Sequence, residues 1–239
     1  MGIVALYRLS PLGVIGMIAT GMSNGALVSM GAVYADALSF SVAEVSIFIS
    51  LIFLGSVVLQ FPIGMLSDRF DRRMVLLVVT VLAALVPFII LTANVSSVIP
   101  MMIIFSIFGG LTFPMYSLCI SHANDRLSSK QMLTASSTLV LACGIGAVAG
   151  PPGASYAMAM IGTDGFLWYF VAVHAGIGLF VLYRMSRRAA TPMEDQENIA
   201  FTPHPAAMSP AFASETIIEM TEGAVEADGD TQESGAPPT

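Results

Sequence analysis

The amino-acid sequence predicts an all-α membrane protein with about six transmembrane helices. Of its 239 residues, 56% are hydrophobic and 10% are charged, and the mean hydropathy is +0.82. A soluble domain carries about 25% charged residues, so a soluble fold is excluded. Since a helical span takes roughly 20 apolar residues and each connection about ten more, the apolar part of the chain holds about six helices.

Charge-free intervals place the six helices, because a charge at the bilayer centre costs at least about 2.5 kcal/mol. The first interval is too long for a signal peptide and no clear A-x-A site follows it, so we interpret it as a span. The interval 74–124 is too long for one helix, and the turn signal at residues 94–97 with Pro100 beyond divides it. The predicted helices cover residues 11–35, 45–66, 74–93, 99–121, 132–159 and 165–184.

The net charge of −7 averages two different regions. Residues 1–188 hold all nine basic residues and six acidic ones, a net of +3, whereas residues 189–239 hold ten acidic residues and no Lys or Arg. The second region is rich in Pro, Ala, Thr and Glu and has no hydrophobic period long enough for a core. We therefore predict a six-helix bundle over residues 1–188 and an acidic, disordered tail over residues 189–239.

The basic residues predict how the bundle lies in the membrane. They all fall before the first predicted span, between the second and third, between the fourth and fifth, or after the sixth. These connections lie on one side of the membrane, and Lys and Arg concentrate on the cytoplasmic side. We expect both termini to be cytoplasmic. The basic residues are Arg8, Arg69, Arg72, Arg73, Arg126, Lys130, Arg184, Arg187 and Arg188.

The most specific motif is the short loop after the second predicted span. A glycine here permits close helix contact, an aspartate can accept hydrogen bonds, and arginines can bind carboxylates, helix C-termini or lipid phosphates. Arginines that only set the topology are the alternative, but the regular spacing speaks against it. The motif residues are Gly64, Asp68, Arg69, Arg72 and Arg73.

This loop resembles the G-x-x-x-D-R-x-G-R-R pattern of the major facilitator superfamily. Asp71 stands where the family usually has glycine, and the other pattern positions match. The resemblance implies a fold with six helices in each half, in which a substrate passes between two halves that rock about a central cavity. The sequence is then expected to be one half of such a fold.

Three further segments resemble the C-terminal half of the YcaD-like bacterial subgroup. They are the start at residues 7–11, the run at residues 121–127 and the end at residues 183–188. The fifth span adds a helix-packing motif of Gly146, Gly150 and Pro151, in which small residues allow close helix approach. The resemblance implies twelve helices in the whole transporter. A second six-helix half, encoded separately or supplied by a second copy, is then needed for transport.

The run at residues 121–127 supplies a second cytoplasmic loop, with His122, Asn124, Asp125 and Arg126. If the helices pack as the family implies, this loop lies beside Asp68. We predict a charge network between the two loops that gates the cytoplasmic side. The alternative is that Arg126 and Lys130 only set the topology.

Polar residues near the middle of the spans are candidates for a solute cavity. They are Asn24, Gln60, Tyr116 and His174. An ionisable residue inside the membrane suggests function, and His174 is a candidate proton relay because histidine titrates near neutral pH. A histidine on an apolar helix that is simply hydrogen-bonded to a neighbour is the alternative.

Other function classes find little support. The sequence has no G-x-S-x-G elbow, no metal-ligand spacing and no glycine loop for nucleotides, so we expect no enzyme activity, metal or cofactor, and no nucleic-acid partner. We predict transport of a small solute by alternating access, coupled to protons, in a bacterial inner membrane. The alternative is a truncated, transport-inactive membrane fragment or interaction partner.

Overall fold

The computed structural model describes residues 2–187 apart from residues 94, 96, 126 and 128, and of residues 129 and 130 it describes only the backbone. The predicted acidic tail lies outside the described residues. Within them the chain forms eight α-helices: α1 Ile3–Leu9, α2 Pro11–Ala37, α3 Val42–Arg69, α4 Arg72–Ala93, α5 Val98–Thr112, α6 Met115–Asn124, α7 Ser129–Ile161 and α8 Asp164–Arg187.

Six segments are long and apolar enough to cross a membrane. These are α2, α3, α4, the combined stretch Val98–Asn124 that holds α5 and α6, the part of α7 from Gln131, and α8. The all-α fold class with six spans is therefore confirmed. Most helices run two or three residues beyond the predicted bounds, because helices continue past the apolar segment until a turn ends them.

The chain opens with α1, a short helix that the sequence did not predict. It ends at Ser10, and Pro11 then begins α2 at a position where a missing N–H costs nothing. Leu6 is fully buried, while Val4 and Tyr7 are exposed. Helix α1 packs against α2 and α7 through Leu6 and its neighbours.

The fourth span is broken in the middle. Helix α5 ends at Thr112, a turn at Phe113 and Pro114 follows, and α6 begins at Met115. Proline ends a helix because it has no backbone N–H and its ring clashes with the preceding turn. The N–H of Tyr116 donates instead to the carbonyl of Phe113, at 3.2 Å.

Four other prolines, each beyond the first turn of its helix, leave their helices continuous. They are Pro62 in α3, Pro87 in α4, and Pro151 and Pro152 in α7. Neighbouring helices in a membrane bundle can accommodate the carbonyl groups that these prolines free. Among the described prolines inside spans, Pro114 alone separates two helices.

Helix α3 begins at a capping box. The N–H of Glu44 donates to Ser41 Oγ at 3.3 Å, and the N–H of Ser41 donates to Glu44 Oε2 at 2.8 Å. Two backbone N–H groups that have no partner inside the helix are satisfied in this way. The preceding turn includes Ser39 with φ 65°, a left-handed conformation. The box therefore fixes where the second span starts.

Glycines bring α2 and α7 into backbone contact. A Cβ on Gly146 would overlap the carbonyl oxygen of Ile18, and a Cβ on Gly150 would overlap that of Met22. On the other helix, a Cβ on Gly21 would overlap the carbonyl oxygen of Cys143. Only glycine permits so close an approach, which gains the dispersion contacts that hold helices together in lipid.

The spans differ in how much of their surface the bundle covers. The bundle buries 22% of the apolar stretch of α3 and 28% of that of α7, against 56% of that of α2. Helix α2 lies at the centre, where it packs against α7, α6, α8 and α3. Helices α3 and α7 do not contact each other, so each leaves a broad apolar surface open at the edge of the bundle.

Candidate functional site

The arginines gather at one end of the bundle, which we call the basic end. Successive spans alternate in direction, so the end of α3, the start of α4 and the end of α6 lie together there. The connection between α3 and α4 is only two residues long, Phe70 and Asp71. This short loop fixes Arg72 and Arg73 at the first turn of α4, where both side chains are buried.

A buried ion pair joins α4 to α6 at the basic end. The Arg72 guanidinium pairs with the Asp125 carboxylate, and the two side chains are 2% and 3% exposed. The same nitrogen, Nη1, also donates to the carbonyl of Ser121 at 3.1 Å. Hydrogen bonds between charged groups are about twice as strong as neutral ones. The positive charge also lies at the C-terminus of α6, where the helix dipole favours a cation.

Asp71 has a clear local role. Its Oδ1 accepts a hydrogen bond from the N–H of Arg73 at 2.9 Å, and its Oδ2 lies 3.2 Å from Arg73 Nη2. Its carbonyl accepts the N–H of Val75 at 3.0 Å, the first hydrogen bond of α4. Asp71 is therefore the N-cap of α4. Capping of α4 therefore explains why an aspartate suits this position, where the family pattern has glycine.

The remaining loop residues face outward. Asp68 and Arg69 are exposed in the last turn of α3, and Gly64 is half-buried one turn earlier. Within the described part of the chain, the Asp68 side chain makes no hydrogen bond or ion pair. Asp125 is thus paired with Arg72, whereas the Asp68 side chain is exposed on the surface of the bundle.

Two more residues of the second loop pack inside the basic end. His122 and Asn124 are 3% and 6% exposed in the last turn of α6. Between them, Ala123 packs closely against Gly13 near the start of α2. The position of Arg126 lies outside the described residues. The end of α6 is thereby held against both α2 and α4.

The helix-packing motif lies at the contact of α2 and α7. Gly146 and Gly150 are buried there, and Pro151 is half-buried in the next position of α7. One turn further on, Gly153 lies against the ring of Tyr169, whose hydroxyl donates to the carbonyl of Met22 at 3.2 Å. The motif therefore joins α7, α2 and α8.

Three of the four predicted cavity residues are half-buried. Asn24, Gln60 and Tyr116 lie on α2, α3 and α6, which pack against one another. Asn24 Oδ1 is buried and has no hydrogen-bond partner among the described residues. The Gln60 side chain likewise forms no hydrogen bond with them. The side chains of Asn24 and Gln60 therefore keep unused hydrogen-bonding groups near the middle of their spans.

The fourth residue, His174, lies deep inside the bundle. Its ring is fully buried, its Nε2 is 3.0 Å from Ser23 Oγ, and it meets the Phe108 ring edge to face at 5.6 Å. Ser23 and Asn24 are consecutive on α2, so their side chains point about 100° apart. His174 therefore lies on a different side of α2 from Asn24. Nothing in the sequence singled out Ser23 as its partner.

The geometry defines the class of protein. The chain forms a helical membrane bundle with a buried ion pair at its basic end and separate polar side chains near the middle of its spans. Among the described residues, no group of three or more His, Cys, Asp or Glu residues could hold a metal ion.

The family model described as "Major Facilitator Superfamily" matches residues 12–218. The chain therefore belongs to the major facilitator superfamily, a family of transporters and not of enzymes.

The relatives are bacterial proteins named as MFS-type transporters. An "uncharacterized MFS-type transporter YcaD" of Escherichia fergusonii is 26% identical over 186 residues, which are 78% of this chain and 47% of that protein. The YcaD of Salmonella arizonae is 24% identical over 186 residues, with the same two coverages. A Yersinia enterocolitica transporter, YE1530, is 26% identical over 185 residues, 77% of this chain and 47% of that protein. The chain spans about half the length of the curated relatives it matches.

Proposed function

We propose that the chain is the C-terminal half of a transporter that moves a small solute across a bacterial inner membrane by alternating access, coupled to protons. The observation that carries the proposal is the family match over residues 12–218. The resemblance of residues 7–11, 121–127 and 183–188 to the C-terminal half of the YcaD-like subgroup supports the assignment of the half. The positive-inside rule places the basic end, and both termini, in the cytoplasm.

A second six-helix half completes the transporter in this proposal. Helices α3 and α7 are the least covered spans, and they lie apart from each other at the edge of the bundle. A partner that rests on both would enclose a cavity between the halves. The partner comes from sequence beyond these 239 residues or from a second copy of the chain.

The charges at the basic end divide into two groups with different roles. Arg72 and Asp125 are buried and join two helices of the same half, so they keep the end of this bundle rigid. Asp68 and Arg69 are exposed, so they are free to form contacts with the second half that change as the cavity opens and closes. The predicted gate thus rests on Asp68, with Asp125 in support.

Asn24, Gln60 and Tyr116 are the proposed solute contacts. They combine partial exposure with polar groups at mid-span depth, and the residues that orient a solute have those two properties. Proton relay by His174 stays a prediction, since the ring is enclosed by helices of its own half.

Transport assays on inside-out membrane vesicles test the proposal. Vesicles are energised in a medium that contains a broad metabolite mixture, and the solutes that they accumulate are identified by mass spectrometry with and without a protonophore. Asp68→Asn should reduce accumulation severalfold while membrane insertion is unchanged. Asp125→Asn should reduce it as well, but there the loss includes the broken ion pair with Arg72. Asp36→Asn, an exposed aspartate at the opposite end of the bundle, is the matched control. Equal accumulation in all three variants would contradict the gate.

A truncated, transport-inactive fragment is the second candidate, favoured by the coverage of 47% of the relatives' length. If the DNA upstream encodes six more helices, in frame or one frameshift away, the chain is a fragment of a longer transporter. A stable pairing of this chain with a second six-helix bundle supports a working half.

A further inference from the structure

One face of α8 follows the contact of this helix with α7. Tyr169 lies on that face, because its ring is 2.9 Å from the place where a Cβ on Gly153 of α7 would be. Residues three, four or seven positions apart on a helix point in similar directions. The later residues of the same face are Gly176, Phe180, Tyr183 and Arg187.

Toward the basic end this face is no longer covered by the bundle. A Cβ on Gly176 would meet no atom within 4 Å, Phe180 is half-buried and Tyr183 is 55% exposed. These three residues form what we call the apolar strip. The missing side chain of Gly176 leaves a recess at the end of the strip that lies deepest in the membrane.

Two arginines lie at the other end of the apolar strip, in the last turn of α8. The Arg187 guanidinium lies over the Tyr183 ring, 5.7 Å from its centroid. Arg184 is half-buried, and its side chain forms no hydrogen bond or ion pair with the described residues. The strip therefore leads from an apolar recess to two positive charges.

The described carboxylates of the basic end do not neutralise these two charges. Asp71 and Asp125 pair with arginines of α4. Asp68 lies on α3, which does not contact α8. The guanidinium group of arginine suits phosphate, which it can bind through two parallel hydrogen bonds. The end of α8 thus has the charge that an anionic phosphate group requires.

The distance from the recess to the arginines matches the length of a lipid chain. From Gly176 to Arg187 the helix rises by about 16 Å. One leaflet contributes about 15 Å to the hydrocarbon core of a bilayer. An acyl chain that lies along the strip and ends beside Gly176 therefore places its headgroup at the depth of Arg184 and Arg187. Tyrosine rings such as that of Tyr183 also concentrate at this depth.

We propose that this end of α8 binds an anionic phospholipid, with the headgroup phosphate on Arg184 and Arg187 and one acyl chain along the apolar strip. Basic residues next to a membrane span attract anionic lipids, whereas a zwitterionic headgroup carries no net charge for them to attract. A free phosphate would occupy the arginines but leave the strip uncovered. The inference concerns the outer face of α8 and stands whether or not the chain transports a solute.

Native mass spectrometry of the purified full chain tests the proposal with phosphatidylglycerol and with phosphatidylcholine of the same acyl chains. The first phosphatidylglycerol should bind several times more tightly than the first phosphatidylcholine. A basic residue near an anionic lipid strengthens binding by about fivefold. Arg187→Gln should therefore weaken the binding of the first phosphatidylglycerol by about that factor and change that of phosphatidylcholine little. Equal affinity for the two lipids in the unmodified chain overturns the proposal.

Two controls separate this site from other sources of the same preference. Arg8→Gln removes an equal charge from α1, which does not contact α8, and should leave lipid binding nearly unchanged. Glycerol 3-phosphate in excess should not displace the lipid, because it cannot cover the apolar strip. A loss in Arg8→Gln as large as that in Arg187→Gln would indicate diffuse attraction, and displacement by glycerol 3-phosphate would indicate a site for free phosphate. Either result overturns the proposal.

Photocrosslinking locates the lipid on the unmodified chain and needs no variant. A phosphatidylglycerol that carries a diazirine in its acyl chain is added to membranes that contain the protein, activated by light and located by peptide mass spectrometry. The crosslinks should fall on residues 176–187 and on the part of α7 beside them. Crosslinks confined to other helices would contradict the proposed site.

Discussion

At the scale of single residues, Asp71 shows how a departure from a family pattern can be local in its effect. The family usually has glycine at this position, and here the aspartate caps α4 through the N–H of Arg73. Loss of such a cap costs about 1 kcal/mol. Asp71→Ala should therefore lower the free energy of unfolding by at least that amount, whereas Asp71→Asn, which gives up the ion pair with Arg73 but can still cap, should lower it less. Chemical denaturation in detergent compares the two variants, and equal losses would rule out the capping role.

The buried ion pair predicts a larger effect. Arg72→Gln or Asp125→Asn leaves one charge buried without its partner, which costs about 3–5 kcal/mol. Changing both residues should restore much of that stability, because no uncompensated charge is left. Thermal unfolding of the single and double variants measures the coupling. Arg69→Gln, an exposed arginine of the same loop, is the control and should change stability by less than about 0.5 kcal/mol. Additive losses in the double variant would show that the pair is not coupled.

Much of the site was beyond sequence reasoning for a physical reason. The loop and the end of the fourth span were recognisable from their charges, because charges are rare here and their spacing is regular. The pairing of Asp125 with Arg72 rather than with Arg69 of the same loop depends on helix rotation, which charge spacing does not determine. Ser23, the partner of His174, carried no signal at all, since a serine in an apolar span has the same letter whether it faces lipid or a histidine.

At the scale of helices, the contact between α2 and α7 rests on glycines that have no room for a side chain. A methyl group on Gly146 would overlap the backbone of Ile18, whereas one on Gly144 meets no atom within 4 Å. Gly146→Ala should therefore destabilise the bundle by about 1–3 kcal/mol or more. Gly144→Ala should be neutral or stabilising by up to about 1 kcal/mol, because alanine favours the helix. Thermal unfolding distinguishes the two, and equal effects would mean that the helices do not touch at Gly146.

The helices themselves were largely predictable, and the exceptions are informative. The absence of charges located all six spans, because the bilayer penalises a buried charge heavily. Helix α1 was missed since seven residues give no clear period. The break at Phe113 and Pro114 was missed because most prolines in these spans, such as Pro62 and Pro87, leave their helix continuous. Whether a proline breaks a helix depends on the neighbours that accept the freed carbonyl groups.

At the scale of the whole molecule, the arginines predict the orientation in the membrane. Cysteines introduced at Ser39 and Ser186 lie at opposite ends of the bundle, in a background without Cys119 and Cys143. A membrane-impermeant thiol reagent applied to intact cells should label the cysteine at position 39 and reach position 186 only after the membrane is opened. The reverse labelling would place the basic end outside and contradict the positive-inside assignment.

The central claim is that this six-span bundle is one of two halves of a transporter. The open faces of α3 and α7, and the coverage of 47% of the relatives' length, both support it. Native mass spectrometry of the protein released directly from its own membranes tests the claim most directly. A two-half transporter would appear as a particle with twelve spans, in which the bundle of residues 1–188 is joined to a second six-helix bundle in the same chain, a partner chain or a second copy. A particle that holds a single 25.1 kDa chain with six spans would contradict it.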